Sequence, residues 1–199
     1  MVMASMEIGI TKRPALSFQD FAPVRFPIKG AQYIAPSGAR FQLDHELEHD
    51  WHPRRITYTR PDGAKRSLNI LGVEIDMDTE GKHTEDVKRQ SIHRKFVSTL
   101  WCFDNDVYEK TLGVKTGVVI YYFTSYSRMK NMENELRIIT RGEGSDRILF
   151  AQIPNISKLD DYPPADDTAL TLSYERVGSH PLGILQTLGY PETTSGRTD

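Results

Sequence analysis

Apolar residues recur with two different periods along this chain, and the switch between them outlines its elements. From Arg55 to Arg60, Ile56 and Tyr58 alternate with Thr57 and Thr59, the period of a strand with one buried face. From Leu68 to Met77 the apolar residues are too dense for an exposed loop. Alternation places Asn69, Leu71, Val73, Ile75 and Met77 on one face of that strand, and Leu68, Ile70, Gly72, Glu74 and Asp76 on the other. Ile92, Phe96, Leu100 and Phe103 recur at helical spacing and predict a helix that runs to about Cys102. Thr84 is its expected N-cap, with Glu85 and Asp86 in the first turn, where the helix dipole favours acids. Val118 to Phe123 is apolar at every position, the mark of a central strand buried on both faces. Ser125 or Ser127 then caps a helix whose stripe is Met129, Met132, Leu136 and Ile139, and Ile148 to Ile153 is another strand. The order strand, strand, helix, strand, helix, strand implies an α/β (α+β) chain with a mixed central sheet flanked by helices.

The flanks differ in character. Residues 1–40 are rich in proline and lack a sustained period, so they read as an N-terminal arm of short extended pieces packed through Phe18, Phe21 and Phe26. Residues 41–154 form the α/β core, with Asp104 to Lys115 as a connector. Residues 155–199 form a C-terminal extension: an acidic, proline-containing loop, an edge strand over Ala169 to Tyr174, a short helix over Pro181 to Leu188 and a disordered tail from Glu192. The net charge of -2 excludes a polycation, so any nucleic-acid contact must come from a local patch. Cys102 is the one cysteine; it excludes an intrachain disulfide and a Cys-rich zinc site and fits a reducing compartment. Met1 to Ile10 lacks the continuous apolar segment of a signal peptide and no run reaches transmembrane length, so the expectation is a cytoplasmic protein without a membrane partner.

Three candidate elements of two sites follow from these placements. Glu74 and Asp76 fall side by side on a partly apolar face, next to Gly72, which leaves room. Burying carboxylates is costly unless they are paired or hold a cation, and carboxylate oxygens suit a hard divalent ion. The alternative is a wet strand end. Asp62 joins them only if the chain doubles back through a tight turn at Lys65-Arg66-Ser67. A turn at Pro61-Asp62-Gly63 instead leaves Asp62 at a hairpin tip, far from Glu74. The third candidate is the string His45-Glu46-Leu47-Glu48-His49. On a helix, the two histidines share a face and can bind zinc, with Glu46 as general base. The stretch from Arg40 to Pro53 resembles the metal-binding helix of zinc metallopeptidases of the phage-repressor-cleaving type. A polar edge strand with solvated histidines is the alternative.

Residues 56–151 resemble the PD-(D/E)XK nuclease core, and more narrowly the nuclease-like domain of bacterial replication-relaxation proteins of plasmids and mobile elements. Pro61-Asp62, Val73-Glu74-Ile75-Asp76 with Thr79-Glu80, Arg94-Lys95, and Val119 to Phe123 with Arg128 carry the resemblance. It implies a restriction-endonuclease-like core, a DNA partner, a possible protein partner in replication or transfer, and metal-dependent phosphodiester cleavage where the site is intact. Asp62, Glu74 and Asp76 would hold Mg²⁺ or Mn²⁺. The pattern expects lysine where this chain has Asp76, and Lys95 is the candidate substitute, because the helix after the Glu74 strand packs back across the sheet. Lys88, Arg89 and Arg94 would anchor phosphates. A catalytically inactive DNA- or protein-binding module of the same fold is the alternative implied by the missing lysine.

Overall fold

The computed structural model describes residues 2–76, 92–153 and 166–191. Helix α1 (Val2–Thr11) leads into β1 (Leu16–Asp20), and β2 (Gln32–Ile34) pairs with β3 (Arg40–Gln42) as a small antiparallel unit. Then follow β4 (Arg54–Thr59), β5 (Lys65–Asp76), α2 (Ile92–Asp104), α3 (Val107–Leu112), β6 (Val118–Phe123), α4 (Tyr126–Ile139) and β7 (Ile148–Gln152). The described residues end with α5 (Thr168–Thr171), β8 (Ser173–Tyr174), β9 (Leu182–Gly183) and α6 (Ile184–Leu188). The main sheet is mixed, in the order β1-β4-β5-β6-β7. The pairs β1/β4 and β4/β5 are antiparallel, while β5/β6 and β6/β7 are parallel.

The parallel pairs need crossovers, and α2, α3 and α4 supply them on one face. Ile92, Phe96, Tyr108, Met129 and Met132 pack there against Tyr121, Phe123 and Phe150. On the other face Met3, Met6, Leu170 and Ile184 pack against Ile120, Tyr122 and Leu149. Every residue of β6 is buried, as its unbroken apolar run predicts. The Ser125 hydroxyl accepts from the Arg128 backbone N–H and caps α4.

Several expectations change. In residues 1–40 the extended piece β1 is an edge strand of the main sheet and Phe21 and Phe26 pack on the core as expected, but Phe18 is exposed and Val2–Thr11 is a helix, α1, that packs on α5. The connector contains α3, and of the expected strand over Ala169 to Tyr174 the first half lies in the short helix α5 while only Ser173–Tyr174 is a strand. The face assignment of β5 also fails midway. The register to β6 shifts between Ile70 and Gly72. Leu68, Ile70 and Val73 therefore share one core while Leu71 enters the other, because one extra residue reverses the alternation beyond it. The chain turns at Pro61-Asp62-Gly63: the Gly63 N–H donates to the Arg60 carbonyl, and Gly63 takes a φ of 82°. Thr84, Glu85, Asp86, Met77, Thr79, Glu80 and the tail from Glu192 lie outside the described residues. Among the described residues, no helix is long and apolar enough to cross a membrane.

Candidate functional site

The carboxyl ends of parallel strands are where open α/β sheets place ligands. Glu74 and Asp76 sit at that end of β5, opposite Tyr121 and Phe123 of β6. They are 1% and 2% exposed, so neither is the wet strand end of the alternative reading. Each meets a cation from a different crossover helix. Lys95 of α2 puts its ammonium 2.5 Å from Glu74 Oε2, and Arg128 of α4 donates from Nε to Asp76 Oδ2 at 2.8 Å. Lys95 is itself buried, and its amine lies toward the Glu74 end of the sheet.

The segment before β4 completes the cluster. Trp51 bridges to Val73, and the Ile75 N–H donates to Asp50 Oδ2 at 2.8 Å, so Asp50 lies beside the end of β5. Its other oxygen is 3.5 Å from the Lys95 ammonium. Glu74 and Asp50 thus share one lysine, and the Asp50 side chain is 40% exposed where Glu74 is sealed. His49 closes the inner side: its Nδ1 is 2.7 Å from Glu74 Oε1 and its Nε2 is 2.9 Å from the Tyr108 hydroxyl. Glu74 can only accept, so His49 donates from Nδ1–H, and in the neutral imidazole Nε2 then accepts from the Tyr108 hydroxyl, a phenol that burial holds well above its ordinary pKa. Gly72 makes the arrangement possible, since a Cβ there would lie 2.1 Å from His49 Cδ2. A cavity of about 130 Å³ reaches His49 and Asp50 between Phe26 and Trp51.

Other sequence candidates fall elsewhere. Asp62 sits at the exposed hairpin tip, where it accepts from the Ala64 N–H and faces Arg60 at 3.3 Å. Lys65 and Glu74 are nine residue steps apart along β5, roughly 30 Å at about 3.3 Å per residue. Asp62 is therefore no partner of Glu74, and Asp50 occupies the place expected for it. His45 and His49 do not share a helix face, because residues 43–50 form no helix. His45 pairs with Asp44 and Ser98, whereas His49 belongs to Glu74 and Tyr108, and Glu48 pairs with Arg25. Arg94 lies 3.7 Å from Asp44, and Lys88 and Arg89 are outside the described residues.

Among the described residues, no group of three or more His, Cys, Asp or Glu side chains is arranged to hold a metal ion. The zinc reading of His45 and His49 fails on their placement, since the two imidazoles take separate partners, Asp44 and Ser98 for one and Glu74 and Tyr108 for the other. Magnesium keeps its waters and takes only one or two carboxylates with substrate phosphates; Asp50 and Glu74, which share Lys95, are the carboxylates that could serve it. Asp50 was hidden in the sequence, since no periodicity tied it to a strand 24 residues later. Gly72 was the legible signal for His49: a glycine within a strand marks a close approach. No family model, curated protein or solved structure matches this chain.

Proposed function

We propose that this chain is a DNA-associated, divalent-metal-dependent nuclease-like protein with a restriction-endonuclease-like core, serving a plasmid or mobile-element replication or transfer system. One observation supports the reading above others: Asp50, Glu74 and Lys95 meet at the carboxyl ends of the parallel strands. Asp50 and Glu74 would hold Mg²⁺ or Mn²⁺. When bound, such a cation polarises a phosphate and lowers the pKa of its water. Glu74 is oriented by His49, which Tyr108 orients in turn. Lys95 carries its charge on a flexible stem, suited to meet negative charge developing on phosphate oxygens. Asp76 takes no part, because Arg128 already neutralises it.

A second reading has its own observation. Both oxygens of Glu74 are already held, by His49 and Lys95. A lysine that permanently fills the cation's place would leave a silent binding module of the same fold. Supercoiled plasmid incubated with Mn²⁺ separates the two. Nicking is expected only with added divalent cation, and about a hundredfold slower in Glu74→Gln and Asp50→Asn. Salt-sensitive DNA binding without nicking selects the silent module. Nicking that survives both substitutions overturns the site.

A further inference from the structure

The two edges of the main sheet differ. Along β7 the edge is covered: Phe150 and Glu175 exchange backbone hydrogen bonds at 2.9 Å, and the Ser145 N–H donates to the Val177 carbonyl. At the other edge β1 pairs with β4 alone among the described residues. The Thr59 N–H donates to the Ala15 carbonyl and the Phe21 N–H to the Pro53 carbonyl. In this register the odd-numbered residues of β1 turn their backbone groups toward β4, and Leu16, Phe18 and Asp20 turn theirs outward. The Arg13 carbonyl takes the Leu16 N–H. The N–H and C=O of Phe18 and of Asp20, and the C=O of Leu16, have no backbone partner among the described residues. Ser17 to Asp20 are exposed at every position, so the edge is open on both faces.

An open edge is a template for another strand, and proteins usually blunt it with lysine, proline or a bulge. β1 has none of these. Its residues, Leu-Ser-Phe-Gln-Asp, run in unbroken register with β4. Its one charge is already neutralised, because Asp20 is ion-paired with Arg54 at 2.6 Å and lies 3.5 Å from His52 Nε2. In the middle of the edge Phe18 is 37% exposed, with the Arg54 guanidinium 5.4 Å from its ring centroid. Free backbone groups, a paired charge and an exposed aromatic ring together suit the addition of a strand.

We propose that this edge is occupied by a second copy of the chain, β1 pairing antiparallel with β1 of that copy about a two-fold axis at Phe18; this stands independently of the DNA reading above. In that register each Phe18 exchanges N–H and C=O with its copy, and each Asp20 N–H meets the Leu16 carbonyl of the other chain, so every free N–H finds an acceptor. The carbonyl left over, that of Asp20, falls opposite the Leu16 N–H that Arg13 already holds. The charges select the same axis. Asp20 lies opposite Leu16 and no like charges meet, whereas an axis at Asp20 would oppose two carboxylates. The two Phe18 rings become a cross-strand aromatic pair, and each Ser17 hydroxyl faces a Gln19 amide. One patch pairing with itself about a two-fold axis is the commonest form of oligomer, and here it would join two sheets and close the open edge of both.

A contact of one short strand gives a weak dimer, with a Kd on the order of 10–100 μM, so sedimentation equilibrium of the full chain from about 1 to about 300 μM tests this. Amide exchange followed by NMR at both ends of that range locates the contact. The Phe18 and Asp20 amides are expected to become several-fold more protected at the higher concentration, while that of Ser17, which faces β4, is unchanged. Phe18→Lys places a guard on the edge and spares the bonds to β4. It is expected to keep the wild-type melting curve and to weaken the dimer at least about tenfold. A chain that stays monomeric across the range overturns the second copy as the occupant. A dimer that leaves the Phe18 and Asp20 amides unprotected, or that persists undiminished in Phe18→Lys, overturns the β1 pairing. Should Phe18→Lys fail to fold, the wild-type amides decide.

Discussion

Glu74 shows how much one buried charge asks of its neighbours. A carboxylate 1% exposed would be costly alone, and here Lys95, His49 and through it Tyr108 meet that cost. Removing one partner of a buried pair leaves the other charge stranded, which costs about 3–5 kcal/mol. Lys95→Met, which keeps the stem and deletes the charge, is therefore expected to lower unfolding stability by about 3 kcal/mol in urea. Adding Glu74→Gln to it should recover part of that loss, so the two effects will be clearly non-additive. Additive losses would mean that the lysine and the carboxylate do not depend on each other. Asp76 and Arg128 form a second buried pair beside the first, and they tie α4 to β5.

At the scale of the element, β5 does two jobs because its phase changes in the middle. Its amino half pairs only with β4, and its carboxyl half lies between β6 and the Asp50 segment. The shift near Gly72 brings Leu71 into the helix-side core and still leaves Glu74 on that side to meet α2. Gly72 is there for room, since its Cβ would strike the His49 ring. Gly72→Ala is expected to displace His49 and to cost about 1–3 kcal/mol, the usual penalty of overpacking. The check is thermal melting together with the loss of the protected His49 ring proton in NMR spectra. A Gly72→Ala protein of wild-type stability would show that β5 yields easily, and the His49 placement would then carry less of the site.

Across the whole molecule, buried tyrosines set a prediction about alkaline pH. Burial raises the phenols of Tyr108, Tyr121 and Tyr122 well above their ordinary value, and it lifts Tyr33 to about 12 with help from Asp104. The folded state thus holds these protons where the unfolded chain, titrating near 10, has lost them. A group whose folded pKa is raised contributes fully below the unfolded pKa, and its contribution is lost as pH rises through the folded one. Stability should begin to fall near pH 9, where the unfolded Cys102 thiol ionises while burial holds the folded one up, and fall more steeply from about pH 10, within the window that Tyr33 spans up to about 12. Urea midpoints at pH 8, 10 and 11 measure this, and a midpoint that holds to pH 11 would contradict it. The two-sided packing explains the scale of the effect, since Tyr108 and Tyr121 lie in one core and Tyr122 in the other.

Local pattern alone determined the strands and helices of the central region apart from α3. Alternation marked β4, the apolar run marked β6, and the methionine stripe marked α4, because each period reports directly which side of an element is dry. It determined as well that Glu74 and Asp76 share a face near a roomy glycine, while the expectation that Lys95 comes back toward them rested on the family resemblance. Tertiary structure alone decided which carboxylate stands beside Glu74. The turn at Pro61-Asp62-Gly63 and the tight turn at Lys65 to Ser67 were equal in sequence; only the pairing of β4 with β5 selects the first and sends Asp62 to the tip. Asp50 and His49 came in through the Trp51 to Val73 bridge, a contact between segments whose sequences carry no shared period. The same holds for the N-terminal segment, where Leu16 to Asp20 is a strand because β4 offers it an edge. Periodicity encodes burial within an element, whereas partners across the chain are set by how the elements pack, and a single sequence holds no record of that choice.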